Sequence, residues 1–265
     1  MLKLERDRYS HEKLIPGITW IYDGINDSTY VDESEDSAFV IDTGMRDESL
    51  TDYIRKNITD KPLTLVVTHG HLDHSMHVAE FDRFYMSAKD DYLVPEKAHA
   101  DFSKRINIQG GDIIRIPGLD LAVVDSAGHT PGSVSFVDRT HRAVFHGDAF
   151  SNGANVWMQL PGCSDLSAYR DNILSAVAAM KKYGVDDSWI FPGGHYEQKF
   201  GFPDPRYQPN EPGILLMEHM AQLCQKLING EIVGEFVPEM DRFGDRVYSA
   251  RYEKAWMLYT LKQVK

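Results

Sequence analysis

The chain has 265 residues, 42% of them hydrophobic and 11% aromatic, enough to bury one large α/β core or two small ones. Its 40 acidic residues outnumber the 28 basic ones and give a formal net charge of −12 with no basic stripe, which opposes a nucleic-acid partner and disfavours a membrane surface. Two cysteines, Cys163 and Cys224, make no disulfide framework, although one bridge between them stays open, and the charged opening of residues 1–8 lacks the apolar stretch of a secretory signal, so a reducing cytoplasm is the expected compartment.

In chain order, Ile18–Tyr22 and residues 37–42 read as two strands around an acidic turn at residues 32–36, the start of a meander. Asp42-Thr43-Gly44 closes the second, and residues 49–57 follow with Leu50, Tyr53 and Ile54 at helical spacing. The β-branched run Leu63-Thr64-Leu65-Val66-Val67, bounded by Pro62 and Gly70, reads as a buried strand and completes a β-α-β unit. A helix through Phe81, a short strand at Phe84–Met86 and an acidic helical piece at residues 90–94 come next. From Gly110 the pattern changes to strands at 112–116, 121–124, 133–137 and 143–146, a second sheet. Ser164 or Asp165 can cap a helix over Leu166–Lys182, where Leu166, Tyr169, Ile173, Val177 and Met180 recur at three- and four-residue steps. Residues 189–191 read as a final core strand, 202–212 as a Pro-rich break and 213–229 as an amphipathic helix ending before Gly230. The expected organisation is a core over residues 1–201 with a C-terminal extension, 202–265, packed on it. No segment approaches a membrane span.

The stretch Thr68-His69-Gly70-His71-Leu72-Asp73-His74 places four metal-ligand candidates at the C-terminal end of a strand. Imidazoles and carboxylates suit a borderline ion such as zinc, and His69 and His71 at alternate positions can point the same way while Gly70 lets the backbone turn. Asp73 and His74 face a second point in space. One loop cannot close two coordination shells, so further ligands must arrive from elsewhere. Three strand ends carry them: His129 in Gly128-His129-Thr130-Pro131-Gly132, Asp148 after Gly147, and His195 after Gly193-Gly194. Five histidines and two aspartates are enough for two ions sharing one carboxylate and a water.

These residues resemble the metallo-β-lactamase fold hydrolases, whose signature is a His-x-His-x-Asp-His loop followed by an isolated His, Asp and His. The resemblance runs from Ile18 to His195 and includes Asp42 with Gly44. It implies an α/β (α+β) four-layered αββα sandwich, with His69, His71 and His129 on one metal, Asp73, His74 and His195 on the other, and Asp148 between them. It also implies hydrolysis of a small ester, thioester, lactone or amide by a water that two divalent cations acidify, with Asp73 orienting it. Zinc is favoured, and iron or manganese suits the same ligands. True β-lactamases of this fold typically lack a bridging aspartate, which turns the expectation toward thioesterases and lactonases. The alternatives are a β-lactam hydrolase, an iron redox enzyme, disfavoured because diiron relatives carry a glutamate where His71 stands, and a metal-binding protein without turnover. The expected partner is a small-molecule substrate, and neither a Gly-x-Ser-x-Gly elbow nor a P-loop points to competing chemistry.

Several residues nearby carry two readings each. Asp42 either orients a ligand loop or caps a turn, and His146 either supports Asp148 or fills the core. Ser75-Met76-His77 departs from the glycines usual after the motif, leaving the role of His77 open. Cys163 reads as an unreactive thiol. Tyr196 and Trp157 are candidate pocket residues.

Overall fold

The structure is a computed structural model, and it describes residues 8–150, 154–196, 198, 213–241 and 243–265. Strands β1 (Ser10–Ile15), β2 (Ile18–Tyr22), β3 (Ser28–Glu33) and β4 (Ala38–Ile41) form the expected meander, antiparallel throughout. Helix α1 (Leu50–Asn57) and strand β5 (Leu63–Val66) then complete the β-α-β unit, because β5 pairs parallel with β4. Parallel strands β6 (Phe84–Met86) and β7 (Arg105–Asn107) extend this first sheet to seven strands. The sequence reading missed β1, β3 and β7. The first two residues of the acidic stretch expected as a turn belong to β3, where Asp32 and Glu33 pair with Phe39 and Ala38, and the turn itself closes from Ser34 N–H to the Ser37 carbonyl at 2.9 Å. The helix expected through Phe81 is a single turn, α2 (Leu72–Ser75), followed by a 3₁₀ turn over Val78–Glu80.

The second sheet is β8 (Ile113–Ile116), β9 (Leu119–Asp125), β10 (Val134–Asp138) and β11 (Ala143–Phe145), in the order β11-β10-β9-β8. Residues 189–191 do not make a strand of their own. They lie beside β11 through isolated bridges, Ala143 to Ile190 and Gly147 to Gly193. Nor are they the last extended segment. Strand β12 (Val156–Trp157) and helix α3 (Leu166–Lys182) precede them, and helix α4 (Gly213–Ile228) and strands β13 (Glu235–Phe236), β14 (Val247–Tyr252) and β15 (Ala255–Thr260) follow, with a third sheet ordered β12-β15-β14-β13. The end of the C-terminal extension, for which the sequence offers no clear element, is thus a hairpin. Its turn has no glycine to announce it; Glu253 takes the left-handed conformation (φ +54°) instead. The Pro-rich stretch 202–212 and the residue 201/202 boundary lie outside the described residues, as do residues 1–7.

Alternation along the strands shows why four layers form. On β4, Ala38 and Val40 face a core with Leu50 and Ile54 of α1, whereas Phe39 and Ile41 face the second sheet, against Leu121, Val123 and Phe136. On β9, Ala122 and Val124 face outward onto Tyr169, Ile173 and Val177 of α3. Three apolar cores therefore separate four layers, helix, sheet, sheet and helix. Each buried Leu or Ile contributes about 1.5–3 kcal/mol to that arrangement. The third sheet continues the outermost core through Ala250, Met257 and Tyr259, beside Met217 and Met220 of α4. Among the described residues no helix is long and apolar enough to cross a membrane.

The two sheets are pinned together at the end where β10 finishes. Asp32 of β3 and Asp138 of β10 are fully buried, and Nδ1 of His141 lies 2.8 Å from an oxygen of each. Backbone N–H groups of Thr140 and His141 also donate to Asp138. The two carboxylates hold the imidazole's proton, raising its pKa to about 10. Gly17 leaves the room for this ring, since a Cβ there would sit 2.2 Å from His141 Nε2.

Candidate metal centre

The opposite end of the sandwich collects the ligand candidates. Chain order puts Asp42 immediately after β4, and it adopts a left-handed conformation (φ +58°) that turns its carboxylate across the top of β5. There it accepts from Thr68 N–H (2.7 Å), from Thr68 Oγ1 (2.7 Å) and from His74 Nδ1 (2.9 Å). Asp42 therefore orients the ligand loop, the first of its two readings. Ser75 Oγ ties the loop back on itself by donating to the carbonyls of Gly70 and His71.

His69, His71 and His129 meet with their ring nitrogens facing inward. His69 Nε2 and His129 Nε2 lie 3.2 and 3.0 Å from His71 Nδ1. Hydrogen-bond partners on the outer sides fix two of the tautomers. His129 Nδ1 is 2.9 Å from the Trp157 carbonyl, which can only accept, so Nδ1 carries the proton and Nε2 a lone pair. Thr68 Oγ1 spends its proton on Asp42, so it accepts from His69 Nδ1 (3.2 Å), and His69 Nε2 is likewise a lone pair. Burial, aided by the neighbouring imidazoles, lowers the pKa of His69, and burial brings His129 to about 4, so both rings are neutral. Two lone pairs thus converge on one nitrogen, which can donate to at most one of them. A cation at this point satisfies all three.

Asp73, His74, Asp148 and His195 form the second group. Asp148 Oδ2 is 2.9 Å from His195 Nε2 and 3.7 Å from His129 Nε2, so this carboxylate reaches both groups. Its Oδ1 and His74 Nε2 stand 3.6 Å apart, and both atoms are buried without a hydrogen-bond partner. Asp73 Oδ2 is 3.6 Å from His74 Nε2 and 3.7 Å from His195 Nε2. Burial works against charge on His74, yet Asp73, Asp148 and Asp42 raise its pKa; burial likewise opposes the charge on Asp148, which His195 and His74 nevertheless keep ionised. In this group protons stand where a cation's charge fits. The residues present suit two divalent ions. All seven predicted ligands are brought together.

His195 arrives on a segment clamped from both sides. Gly193 bridges to Gly147, its carbonyl accepts from Tyr30 OH (2.7 Å), and the Gly194 carbonyl accepts from Ser28 N–H (2.8 Å). Gly194 is required by close approach: a Cβ there would lie 2.5 Å from Asp148 Oδ1 and from His74 Cε1. The sequence reading missed Asp27, whose Oδ1 is 3.2 Å from His195 Nδ1, because nothing in the spacing of Asn26-Asp27-Ser28 marks it. It also missed Asp90, which touches both ligand loops.

The remaining candidates separate. His77 points away from the centre, with Nδ1 2.7 Å from Glu80 Oε1; Glu80 in turn accepts from the backbone N–H groups of Leu50 and Thr51 and so caps α1. His146 packs on Phe150 and Phe191, and burial lowers its pKa to about 4, so it is a core histidine. Cys163 Sγ donates to the His129 carbonyl (3.0 Å), and burial pushes this thiol to about 12. Tyr196 stacks on Trp20, lies tilted against Tyr22 and packs on the core between the sheets, whereas Trp157 is exposed and meets His129 through its carbonyl.

A family model described as the metallo-beta-lactamase superfamily matches residues 21–195. Among curated proteins, the acyl-coenzyme A thioesterase MBLAC2 of Bos taurus is 24% identical over 213 residues, covering 64% of this chain and 76% of the relative. Hydroxyacylglutathione hydrolase GloC of Haemophilus influenzae is 28% identical over 138 residues, covering 46% of this chain and 65% of the relative. Among solved structures, a metallo-beta-lactamase from Pontibacter korlensis superposes with a TM-score of 0.62 at 17% identity, over 82% of this chain and 99% of that one, a likeness of fold alone.

Proposed function

The chain belongs to the metallo-beta-lactamase superfamily of metal-dependent hydrolases, and from that premise we propose that it is a dinuclear zinc enzyme cleaving the thioester between an acyl group and a small thiol. The observation that carries the dinuclear part is the position of Asp148, one carboxylate within 3.7 Å of His129 and 2.9 Å of His195. His69, His71 and His129 would hold one ion, Asp73, His74 and His195 the other, and Asp148 both. When bound, such ions supply Lewis acidity and a water that loses its proton near neutral pH.

The chain's own residues do the rest. Asp73 is the more exposed carboxylate of the centre, so its Oδ2 is placed to orient an attacking water and to take up its proton. The outward nitrogens of His69, His74, His129 and His195 face Thr68, Asp42, the Trp157 carbonyl and Asp27, which holds the rings in place but leaves none of these nitrogens to protonate a leaving group. Asp73, once it has taken up the water's proton, is then the group placed to return it, and a thioester depends on that return less than an amide does: a thiol of ordinary acidity departs as its anion near neutral pH, whereas an amide nitrogen leaves only when protonated. The relatives are consistent with a thioester, since one is named for acyl-coenzyme A and another for hydroxyacylglutathione.

The test is to measure metal content and, on the same preparation, kcat/KM for acyl thioesters, esters, a lactone, a phosphodiester and a β-lactam. About two ions per chain and a preference for a thioester are expected. Faster turnover of the β-lactam or the phosphodiester would overturn the substrate class, and absence of metal after zinc-supplemented expression would overturn the centre.

A further inference from the structure

One buried carboxylate outside both ligand groups connects the two loops that supply the first of them. Asp90 lies in a 3₁₀ segment, Ala88–Leu93, and is fully buried. Its Oδ2 accepts from Gly70 N–H (3.1 Å) and from Thr130 Oγ1 (2.6 Å), and its Oδ1 accepts from Gly132 N–H (2.7 Å). Gly70 separates His69 from His71 on the loop after β5, and Thr130 and Gly132 follow His129 in the turn before β10. The two loops grow from different sheets, and at their base one backbone hydrogen bond joins them, from Val134 N–H to the Thr68 carbonyl (2.9 Å). Asp90 bridges them with three.

The glycines of both loops are shaped around this residue. A Cβ on Gly70 would lie 2.5 Å from the Asp90 carbonyl oxygen and 2.9 Å from its Cβ, and one on Gly132 would lie 2.6 Å from Oδ1. Neither glycine has a left-handed φ, so close approach rather than conformational freedom accounts for them. The neighbouring Asp91 does something different, pairing with Arg105 on β7 at 3.1 Å. Burial raises the pKa of Asp90 against the pull of its three donors, which marks a carboxylate kept dry at a cost.

We propose that Asp90 is the positioning residue that assembles the His69, His71 and His129 triad and thereby sets the affinity of the first ion but not of the second. The proposal rests on the dinuclear reading. Imidazoles that must converge within about 0.5 Å of a productive geometry need their backbones fixed relative to one another, and beyond the Thr68–Val134 bond at the base it is the Asp90 side chain that ties Gly70 to Thr130 and Gly132.

The experiment separates the two sites by deletion. In a His195→Ala background the first group remains, and in a His129→Ala background the second; zinc affinity is measured in each by competition with a chromophoric chelator, with and without Asp90→Ala. Asp90→Ala should lower affinity by about 10–100-fold in the first background and change it little in the second. Asp90→Asn, which keeps one acceptor oxygen, should fall between, and it carries the same test if Asp90→Ala does not fold. Hydrogen exchange of the metal-free protein provides a second readout, because the Gly70 and Gly132 amides should lose protection in the variant while β9 and β10 keep theirs. Equal losses in both backgrounds, or none in either, would overturn the positioning role. If the unmutated protein binds no zinc, the dinuclear reading falls with it, and that outcome is distinct from wild-type binding that Asp90→Ala leaves untouched.

Discussion

Two histidine and aspartate clusters occupy opposite ends of one sandwich, and their protons point in opposite directions. At the ligand end the protons of His69 and His129 are committed outward, to Thr68 and the Trp157 carbonyl, so the lone pairs of both Nε2 atoms face His71 Nδ1, at 3.2 and 3.0 Å. At the pinned end the Nδ1–H of His141 points inward between Asp32 and Asp138, 2.8 Å from each. Ligand atoms in both places fall within 4.8 Å of one another, so proximity does not tell the clusters apart. What tells the triad of His69, His71 and His129 from the pinned cluster is whether one proton at the point of convergence can serve all the groups that meet there. Where a proton between two carboxylates balances their charge, the cluster is a salt bridge that holds two sheets together; where two imidazole lone pairs meet one nitrogen that can donate to only one of them, the triad is left unsatisfied without a cation.

The comparison breaks most visibly if chemistry survives damage to the ligand end. Asp73→Asn should lower kcat on the best thioester by about 10²–10⁴-fold, because a neutral amide neither takes up a proton nor ligates as well. Circular dichroism should show the fold intact, since Asp73 is partly exposed at the edge of the core. A wild-type rate would place the reaction elsewhere. His141→Ala comes next in size. It strands two buried carboxylates and should cost about 3–5 kcal/mol in urea unfolding, while kcat and metal content per folded molecule stay unchanged. Loss of metal in that variant would mean that the two ends are not independent. A smaller effect is expected of Asp27→Ala, which removes the oxygen 3.2 Å from His195 Nδ1. Affinity for the second ion should fall about 10–100-fold in chelator competition, and that for the first should not move.

The ligand end was legible because its chemistry needs particular residue types at particular spacings. His69, His71, Asp73 and His74 are one string, and each of the three later ligands follows a strand and a glycine or stands in a turn. The residues that hold those ligands were not legible. Asp27 and Asp90 act through contacts that span 168 and 20 to 42 positions of chain, and Asp90 differs from Asp91 in no sequence property. The same holds for the fold. Apolar runs such as β4 and β5 announce themselves, but β3 spells Ser-Thr-Tyr-Val-Asp-Glu, and its polar residues are buried by partners outside the strand, Asp32 by His141 and Ser28 by Trp20. Polarity that is satisfied inside the fold looks like a surface loop in the sequence.

The smallest predicted effect distinguishes the two ends by the sign of their pH dependence. In the native protein the proton on His141 is held to about pH 10 by Asp138 and Asp32, whereas an unfolded histidine releases it near 6.5. Burial also raises Asp32 to about 7, above the ordinary carboxylate value. Both native pKa values exceed their unfolded ones, so the native state holds more protons and stability from this cluster falls as pH rises. The His141 contribution is complete below about 6.5 and is lost as pH passes through about 10. The ligand end has the opposite sign, because imidazoles must shed protons before they hold a cation and occupancy therefore rises with pH. Urea unfolding of metal-free wild type and His141→Ala between pH 6 and 10 isolates the pinned end, since bound metal would otherwise add its own linkage. The gap between the two proteins should narrow steadily across that range, by a part of the loss seen at neutral pH. A gap that stays constant or widens would mean that no proton is held there, and the cluster of Asp32, Asp138 and His141 would then have to be counted with the lone pairs at the other end, as a place for a cation.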